Sequence, residues 1–553
     1  MVAALRLTFS SSNTWLASVT AAALGVPLLW TAVEAVAAGL DADAWHALSG
    51  EPQLPVALAL SVLTGLAATA LSLAISAWIL SRAFASRAWP AAMRMLAPML
   101  ALPHVAFAIG LAFLLAPSGW ILRALSPWAT GFTSPPPWET TQDPWGIGLV
   151  AALIGKEVPF LLWTAATQLQ RADIGARWQQ ELTIASTIGY DRHTAWWRVV
   201  WPQLWPRLHA PLLAVLAYSL TVVDMAIVIG PASPPTAGVL AWQWLLDGDA
   251  AVNAKGAALG WLLAAVVAAS AGVLWMVRTR WRRRSRRVHG GRGRADPRHA
   301  TDLAPVAALA GMYLLVLLVT GVASISGVWA FPFFWPQAWS FEGWRSVAAS
   351  FATVWTTALL AFTSGLAALV WAVAWLETAP PSWLPALRRL TYLPLVLPAV
   401  LWVVGLHRLA LAWQVETRWV GLWLAHTLAA VPYVLITLSP AYLAFDPRQR
   451  QLAASLGRGT SSFLVRVKWP LLRASLWGAL AVGFAVSIAQ YLPTLFIGGG
   501  RFATVTTEAV ALSAGGQRSV LAAYAWLQWL LPSLAFALAV CAGRPRRFRK
   551  RAA

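Results

Sequence analysis

The chain has 553 residues, 59% of them hydrophobic and only 11% charged, where an average soluble domain spends about a quarter of its residues on charge. That composition excludes a water-soluble globule, and a single cysteine, Cys541, excludes an internal disulfide. The formal net charge of +21 admits either nucleic acid or a membrane surface as its cause, so the placement of the basic residues has to decide.

In chain order, apolar stretches centred near residues 24, 68, 105, 158, 219 and 265 read as six spans, and those near 315, 362, 400, 430, 485 and 530 as six more. About 20 apolar residues in a helix cross a hydrocarbon core roughly 30 Å thick. The first stretch lacks a small-residue cleavage site and is expected to stay as a span rather than leave as a signal peptide. With the N-terminus inside, most Lys and Arg fall in cytoplasmic segments, and both termini are expected in the cytoplasm. Loops such as 36–53, with Asp41, Asp43 and Glu51 and neither Lys nor Arg, then fall outside. This is the positive-inside bias, and it assigns the basic residues to topology and lipid headgroups rather than to nucleic acid. Many tryptophans stand near span ends, as Trp201, Trp242 and Trp469 do, where indole rings anchor at the interface.

The chain is written twice. "LPHVAFAIG" at 102–110 answers "LPAVLWVVG" at 397–405, and "VPFLLWT" at 158–164 answers "VPYVLIT" at 431–437. "TIASTIGYDRHTAWWRVVWPQL" at 183–204 answers "QLAASLGRGTSSFLVRVKWPLL" at 451–472. Half one carries extra residues, mostly the Pro- and Trp-rich external loop 117–146. An even number of spans per half makes a parallel repeat about an axis along the membrane normal. The expected division is a first half 1–277 (core about 56–275), an Arg-rich cytoplasmic linker 278–302, a second half 303–543 (core about 346–540) and a basic cytoplasmic tail 544–553.

The third repeated segment aligns without gaps and keeps Ala185 with Ala453, Gly189 with Gly457, Arg198 with Arg466 and Pro202 with Pro470. Its chemistry predicts a helix to residue 188, a stop at Gly189, a short second helix and a break at Pro202. Asp191 or Thr194 is the expected cap of "AWWRVV", and Thr460, Ser461 or Ser462 that of "FLVRVK". The product is a compact elbow on the cytoplasmic side.

This elbow resembles the EAA loop of binding-protein-dependent ABC importer permeases: Glu-Ala-Ala, three residues, Gly, then a hydrophobic-Pro pair 13 positions after the Gly. Two copies in one chain resemble the fused double permeases of iron(III) and thiamine importers, especially an uncharacterised relative of the thiamine type. The resemblance implies an all-α membrane protein of two tandem ABC type-1 (MetI-like) permease domains in a bacterial inner membrane. It also implies a small solute moved by alternating access, with a coupling helix at Thr183, Ala185, Gly189, Asp191, Arg198 and Pro202 and again at Gln451, Ala453, Gly457, Arg466 and Pro470. The implied partners are two copies of an ATPase subunit carrying ATP and Mg, and an external solute-binding protein. The chain departs from the pattern where Thr183 and Gln451 replace the glutamate, and Ile184 and Leu452 the first alanine; this questions a salt bridge there, while Gly and Pro still set the shape. Glu181 is near but is expected on another helix face.

Lys156 and Glu157 fall inside the fourth span and Asp224 inside the fifth. An ionisable residue at mid-membrane costs about 3 kcal/mol on insertion scales and faces a partner or a water-filled path. Two readings stand: these three line or gate the translocation path, or they lock helices, with Asp224 as partner to Lys156. Half two has Ala429 and Ala430 where half one has Lys156 and Glu157, so any site is asymmetric. His104 and His407 are too isolated to suggest a metal site. "GLVAALIGKEV" is no P-loop, since Val150 and Glu157 stand where Gly and Ser or Thr are needed; no nucleotide site, cofactor or bond chemistry is expected of this chain. The rival reading is an ion-coupled secondary transporter of major-facilitator layout, whose loop motif "GYDRH" resembles but which belongs after the second span, not the fourth.

Overall fold

The computed structural model describes residues 11–84, 89–169, 172–285, 304–380, 382–383, 390–391 and 393–544. Among these the chain is helical, with two isolated bridges, Ala232 with Pro235 and Ser326 with Trp339, as its extended pairings. Nine described helices are long and apolar enough to cross a bilayer, among them Leu54–Ala83, Ile147–Leu169, Phe351–Thr378, Trp419–Leu443 and Arg518–Gly543. The helix Ala250–Ser285 runs into the segment read as a linker; the remainder of that segment and the tail after Arg544 lie outside the described residues.

The stretches near 219, 400 and 485 fall on two shorter helices, His209–Thr221 and Ala399–Ala412, and on a pair bent by 77°, Thr460–Leu471 with Arg473–Ile488. The cause is local. Pro103 and Pro398 stand in extended backbone just before His104–Leu115 and Ala399–Ala412, because proline cannot donate into a helix and keeps the preceding residue out of helical geometry. The fifth span of each half is broken too: His209–Thr221 restarts as Asp224–Ile229, and Arg473–Ile488 restarts as Leu492–Gly498. Continuous apolarity in the sequence hides these interruptions.

The two halves repeat one packing scheme. Leu54–Ala83 packs on Ile147–Leu169 and His209–Thr221, as Phe351–Thr378 packs on Trp419–Leu443 and Arg473–Ile488. Glycine permits the close approach in both: a Cβ on Gly65 would stand 2.9 Å from the Leu220 Cα, and one on Gly365 2.9 Å from the Phe484 backbone nitrogen.

The first helix of each half crosses to the other half. Ser11–Ala37 lies on Ala399–Ala412 and Phe351–Thr378, where Trp371 Nε1 donates to the Thr20 carbonyl at 2.8 Å. Ala304–Ser324 lies on His104–Leu115, and Tyr313 Oη donates to the Gly155 carbonyl at 2.9 Å. Pro159, four residues on, has no N–H for that carbonyl. In hydrocarbon an orphaned carbonyl costs several kcal/mol, so Tyr313 both satisfies the backbone and ties the halves. Further along, Arg123 donates to the carbonyls of Ala330 and Phe333 at 2.8 Å and of Trp329 at 3.1 Å.

Candidate functional site

The two repeated segments fold alike. Ala172–Thr187 ends in a turn whose Gly189 has φ +96°, and Arg448–Ser455 ends in one whose Gly457 has φ +71°. Tyr190 N–H donates to the Ala185 carbonyl at 3.0 Å and Gly189 N–H to that of Ser186 at 3.1 Å. In the second copy Arg458 N–H reaches Ala453 at 2.9 Å and Gly457 N–H reaches Ala454 at 3.0 Å. Each copy thus closes its helix with the same pair of bonds around a left-handed glycine, and the alanine shared by the two copies, Ala185 or Ala453, supplies one of the two carbonyls.

Beyond the glycine, the short helices Arg192–Ala195 and Thr460–Phe463 pass into π turns, Trp196–Val200 and Leu464–Lys468. The expected break at proline is displaced: Pro202 and Pro470 sit in the first turn of Trp201–Leu204 and Trp469–Leu471, and the chain bends later, at Leu208 and Leu472. A proline ring clashes with the carbonyl four residues back. The wider π turn, in which Trp201 N–H reaches Trp196 and Trp469 N–H reaches Leu464, accommodates the ring and carries the helix past it. Asp191 is the observed cap, accepting from Thr194 N–H at 3.0 Å. Burial pushes its carboxyl up, but the bonds from Thr194 outweigh this and hold it below the ordinary aspartate value. The second copy has Gly459 at that place and no side-chain cap; Thr460, Ser461 and Ser462 lie inside the helix instead.

Each elbow is braced by polar groups that the repeat did not reveal. In the first, Glu181 accepts from Gln203 Nε2 at 2.7 Å and Arg177 Nε at 2.8 Å, while Trp178 Nε1 donates to Gln203 Oε1 at 3.0 Å. Glu181 therefore ties the helix before the elbow to the one after it. In the second, Lys468 Nζ meets Glu377 at 2.5 Å, Tyr442 Oη donates to the same carboxylate at 2.6 Å, and Trp469 Nε1 donates to Tyr442 Oη at 3.2 Å. This brace reaches two long helices. Thr183 and Gln451, at the glutamate position, are exposed, as are Arg198, Pro202, Arg466 and Pro470. Arg198 lies over the Tyr190 ring at 5.5 Å.

Both elbows lie at one end of the bundle. Trp196 packs on Phe84, at the end of Leu54–Ala83, and Lys468 on Glu377, at the end of Phe351–Thr378. The helix Ser11–Ala37 begins beside Trp371 and ends near the start of Leu54–Ala83, whose neighbour Glu51 pairs with Lys255 at 2.8 Å. Both second helices therefore finish where Ser11–Ala37 starts. At that end Ile184, Ile188, Leu452 and Leu456 are exposed by 58, 56, 62 and 70%. They occupy equivalent positions four residues apart, one apolar stripe per elbow.

The buried charges resolve differently from one another. Lys156 donates to the carbonyls of Leu102 at 2.6 Å and Met99 at 3.2 Å, the unpaired end of a helix that stops at Pro103. It does not pair with Asp224, whose Oδ1 accepts from Tyr218 Oη at 3.1 Å and Met225 N–H at 2.9 Å. Glu157 has His104 Nε2 at 4.0 Å, and the His104 ring packs on Tyr218 at 4.8 Å. The interruptions of the third and fifth spans converge on this cluster. His104, set aside in the sequence, belongs to it. His407 stands apart, with Glu416 at 2.8 Å. Among the described residues no group of three or more His, Cys, Asp or Glu could hold a metal.

No family model matches the chain. The inner membrane ABC transporter permease protein YnjC of Escherichia coli strain K12 is 36% identical to it over 524 residues, covering 94% of each chain. Thiamine transport system permease proteins ThiP match shorter stretches. That of E. coli K12 is 31% identical over 182 residues, 30% of this chain and 33% of its own. That of Brucella abortus strain 2308 is 28% identical over 137 residues, 22% of this chain and 25% of its own. A likeness that runs almost end to end through an all-helical, multi-pass chain settles the family: this protein belongs to the ABC transporter permeases of the inner membrane.

Proposed function

We propose that this chain by itself forms the transmembrane pathway of an importer. Two copies of an ATPase subunit dock at 183–204 and 451–472, close on ATP and Mg held in their own sites, and turn the pathway between inward and outward openings. An external solute-binding protein delivers the small solute, both termini and the 278–302 linker lie in the cytoplasm, and the chain binds no nucleotide or cofactor itself. The observation that carries this reading is the matched pair of elbows, each closed by a left-handed glycine and each presenting the same exposed apolar pair at one end of the bundle. An exposed apolar patch of this kind marks a protein contact. The partial matches to thiamine permeases make thiamine the first solute to try.

The test is purification of the tagged chain from native membranes. An ATPase subunit is expected to come with it, and to be lost when Ile188 and Leu456 are both changed to Glu. Solute uptake by the chain in proteoliposomes without any ATPase would instead identify an ion-coupled carrier.

A further inference from the structure

Half one places three ionisable side chains within its spans, Lys156 and Glu157 buried and Asp224 partly so, and the protein engages them unequally. Lys156 is spent on the Met99 and Leu102 carbonyls. Glu157 is different: its side chain is 6% exposed, His104 Nε2 stands at 4.0 Å, and no hydrogen-bond donor among the described residues reaches its carboxylate. Leaving a carboxylate this deep without a donor costs several kcal/mol, so the position is not explained by packing. Asp224 accepts from Tyr218 Oη and Met225 N–H through Oδ1.

The cluster around these groups is not fully buried. The His104 side chain is 38% exposed although it stands between the third, fourth and fifth spans of half one. Tyr433, on the helix Trp419–Leu443 of half two, is 40% exposed and close enough to feel the Glu157 charge. Tyr491 stands at the break in the fifth span of half two, buried, with its ring 6.4 Å from that of Trp242. The repeat makes the composition one-sided: Ala399 stands in half two for His104, Ala430 for Glu157 and Leu492 for Asp224, while Tyr433 stands for Phe160 and Tyr491 for Val223. Half one contributes carboxylates and half two the exposed Tyr433 ring, a group whose face attracts a cation within about 6 Å.

We propose that His104, Glu157, Tyr218 and Asp224 of the first half, with Tyr433 of the second, form an organic-cation recognition site in the pathway. The proposal rests on the reading that the spans form a solute pathway, and it adds the charge class of the solute. Lys156 offsets one of the two carboxylates, so the cluster fits a single positive charge carried on an aromatic or aliphatic body, and disfavours anions. Tyr218 links Asp224 to His104 and acts as a positioning residue.

The experiment is equilibrium binding of radiolabelled thiamine, a singly charged aromatic cation, to the full chain in lipid nanodiscs without ATPase or nucleotide. Saturable binding near the millimolar range or tighter is expected, weakened at least tenfold by Glu157→Gln and by Asp224→Asn. Tyr433→Ala is expected to weaken it similarly, while Tyr433→Phe, which keeps the ring, retains most of it. An excess of choline competes; sulfate and maltose do not. The amide variants are near-isosteric, and monodisperse elution confirms their folding before binding is read. No saturable binding by the folded wild type, equal binding by both amide variants, or equal competition by sulfate or maltose would each overturn the assignment. Because the readout needs no ATPase, it fails or holds separately from the docking of an ATPase at the elbows.

Discussion

Proline at both elbow glycines is expected to separate ATP hydrolysis from uptake, and the structure says why alanine will do much less. Nothing lies within 4 Å of a Cβ placed on Gly189 or Gly457, so alanine meets no neighbour and bears only the left-handed backbone penalty, about 1–2 kcal/mol. That reduces the closed elbow by roughly 5- to 30-fold relative to its open forms without abolishing it. Proline holds φ near −65°, against +96° and +71° here. It also removes the N–H that bonds Ser186 or Ala454, a further ~1 kcal/mol. With about 3 kcal/mol or more lost, helices of four residues such as Arg192–Ala195 no longer hold their angle. The assay is solute accumulated per ATP hydrolysed in proteoliposomes carrying the chain, its ATPase and its binding protein. Hydrolysis with little uptake is expected for the double proline variant, and partial coupling for the double alanine variant. A wild-type ratio in the double proline variant would show that these turns transmit nothing.

Further outcomes follow from the braces and caps. Asp191→Ala removes a cap worth about 1 kcal/mol and should raise hydrogen exchange at 192–195 only. Because the Asp191 carboxyl is held below its ordinary value, its contribution is complete above the unfolded value near 3.9 and fades as pH falls through the lower folded value. The first elbow should therefore loosen in acid below about pH 4, and the uncapped second elbow should show no matching change. Glu377→Gln or Lys468→Met alone leaves a half-buried charge unpaired and should lower thermal stability by about 2–4 kcal/mol, whereas Glu377→Leu with Lys468→Met together should cost much less. Arg123→Gln strips donors from the carbonyls of Trp329, Ala330 and Phe333 and should destabilise by about 2–4 kcal/mol in thermal melts; lysine, with one compact ammonium, should restore only part.

Helical class, the duplication and both elbows were legible because they depend on local rules: apolar run length, the freedom of glycine and the missing N–H of proline. The position of the bend was not, because the π turn that absorbs Pro202 and Pro470 leaves no mark in composition. Glu181 looked misplaced at two residues from the glutamate position, yet it reaches Gln203 because the elbow folds the chain back on itself. The Lys468–Glu377 brace joins residues 91 apart in sequence and has no counterpart in half one, where Val200 stands for Lys468, so comparing the halves could not disclose it. Lys156 was sought opposite a carboxylate; its partners are backbone carbonyls released by the interruption at Pro103, and backbone partners carry no signature in a sequence.

The most direct measurement is site-specific crosslinking from the two elbows. In a Cys541→Ser background, a single cysteine at Ile188 or at Leu456 should crosslink in native membranes to an ATPase subunit, each site capturing one copy and both losing it when the subunit is absent. Failure of both positions to reach any such subunit, or labelling of both by a membrane-impermeant thiol reagent applied only from the external side, would contradict the assignment.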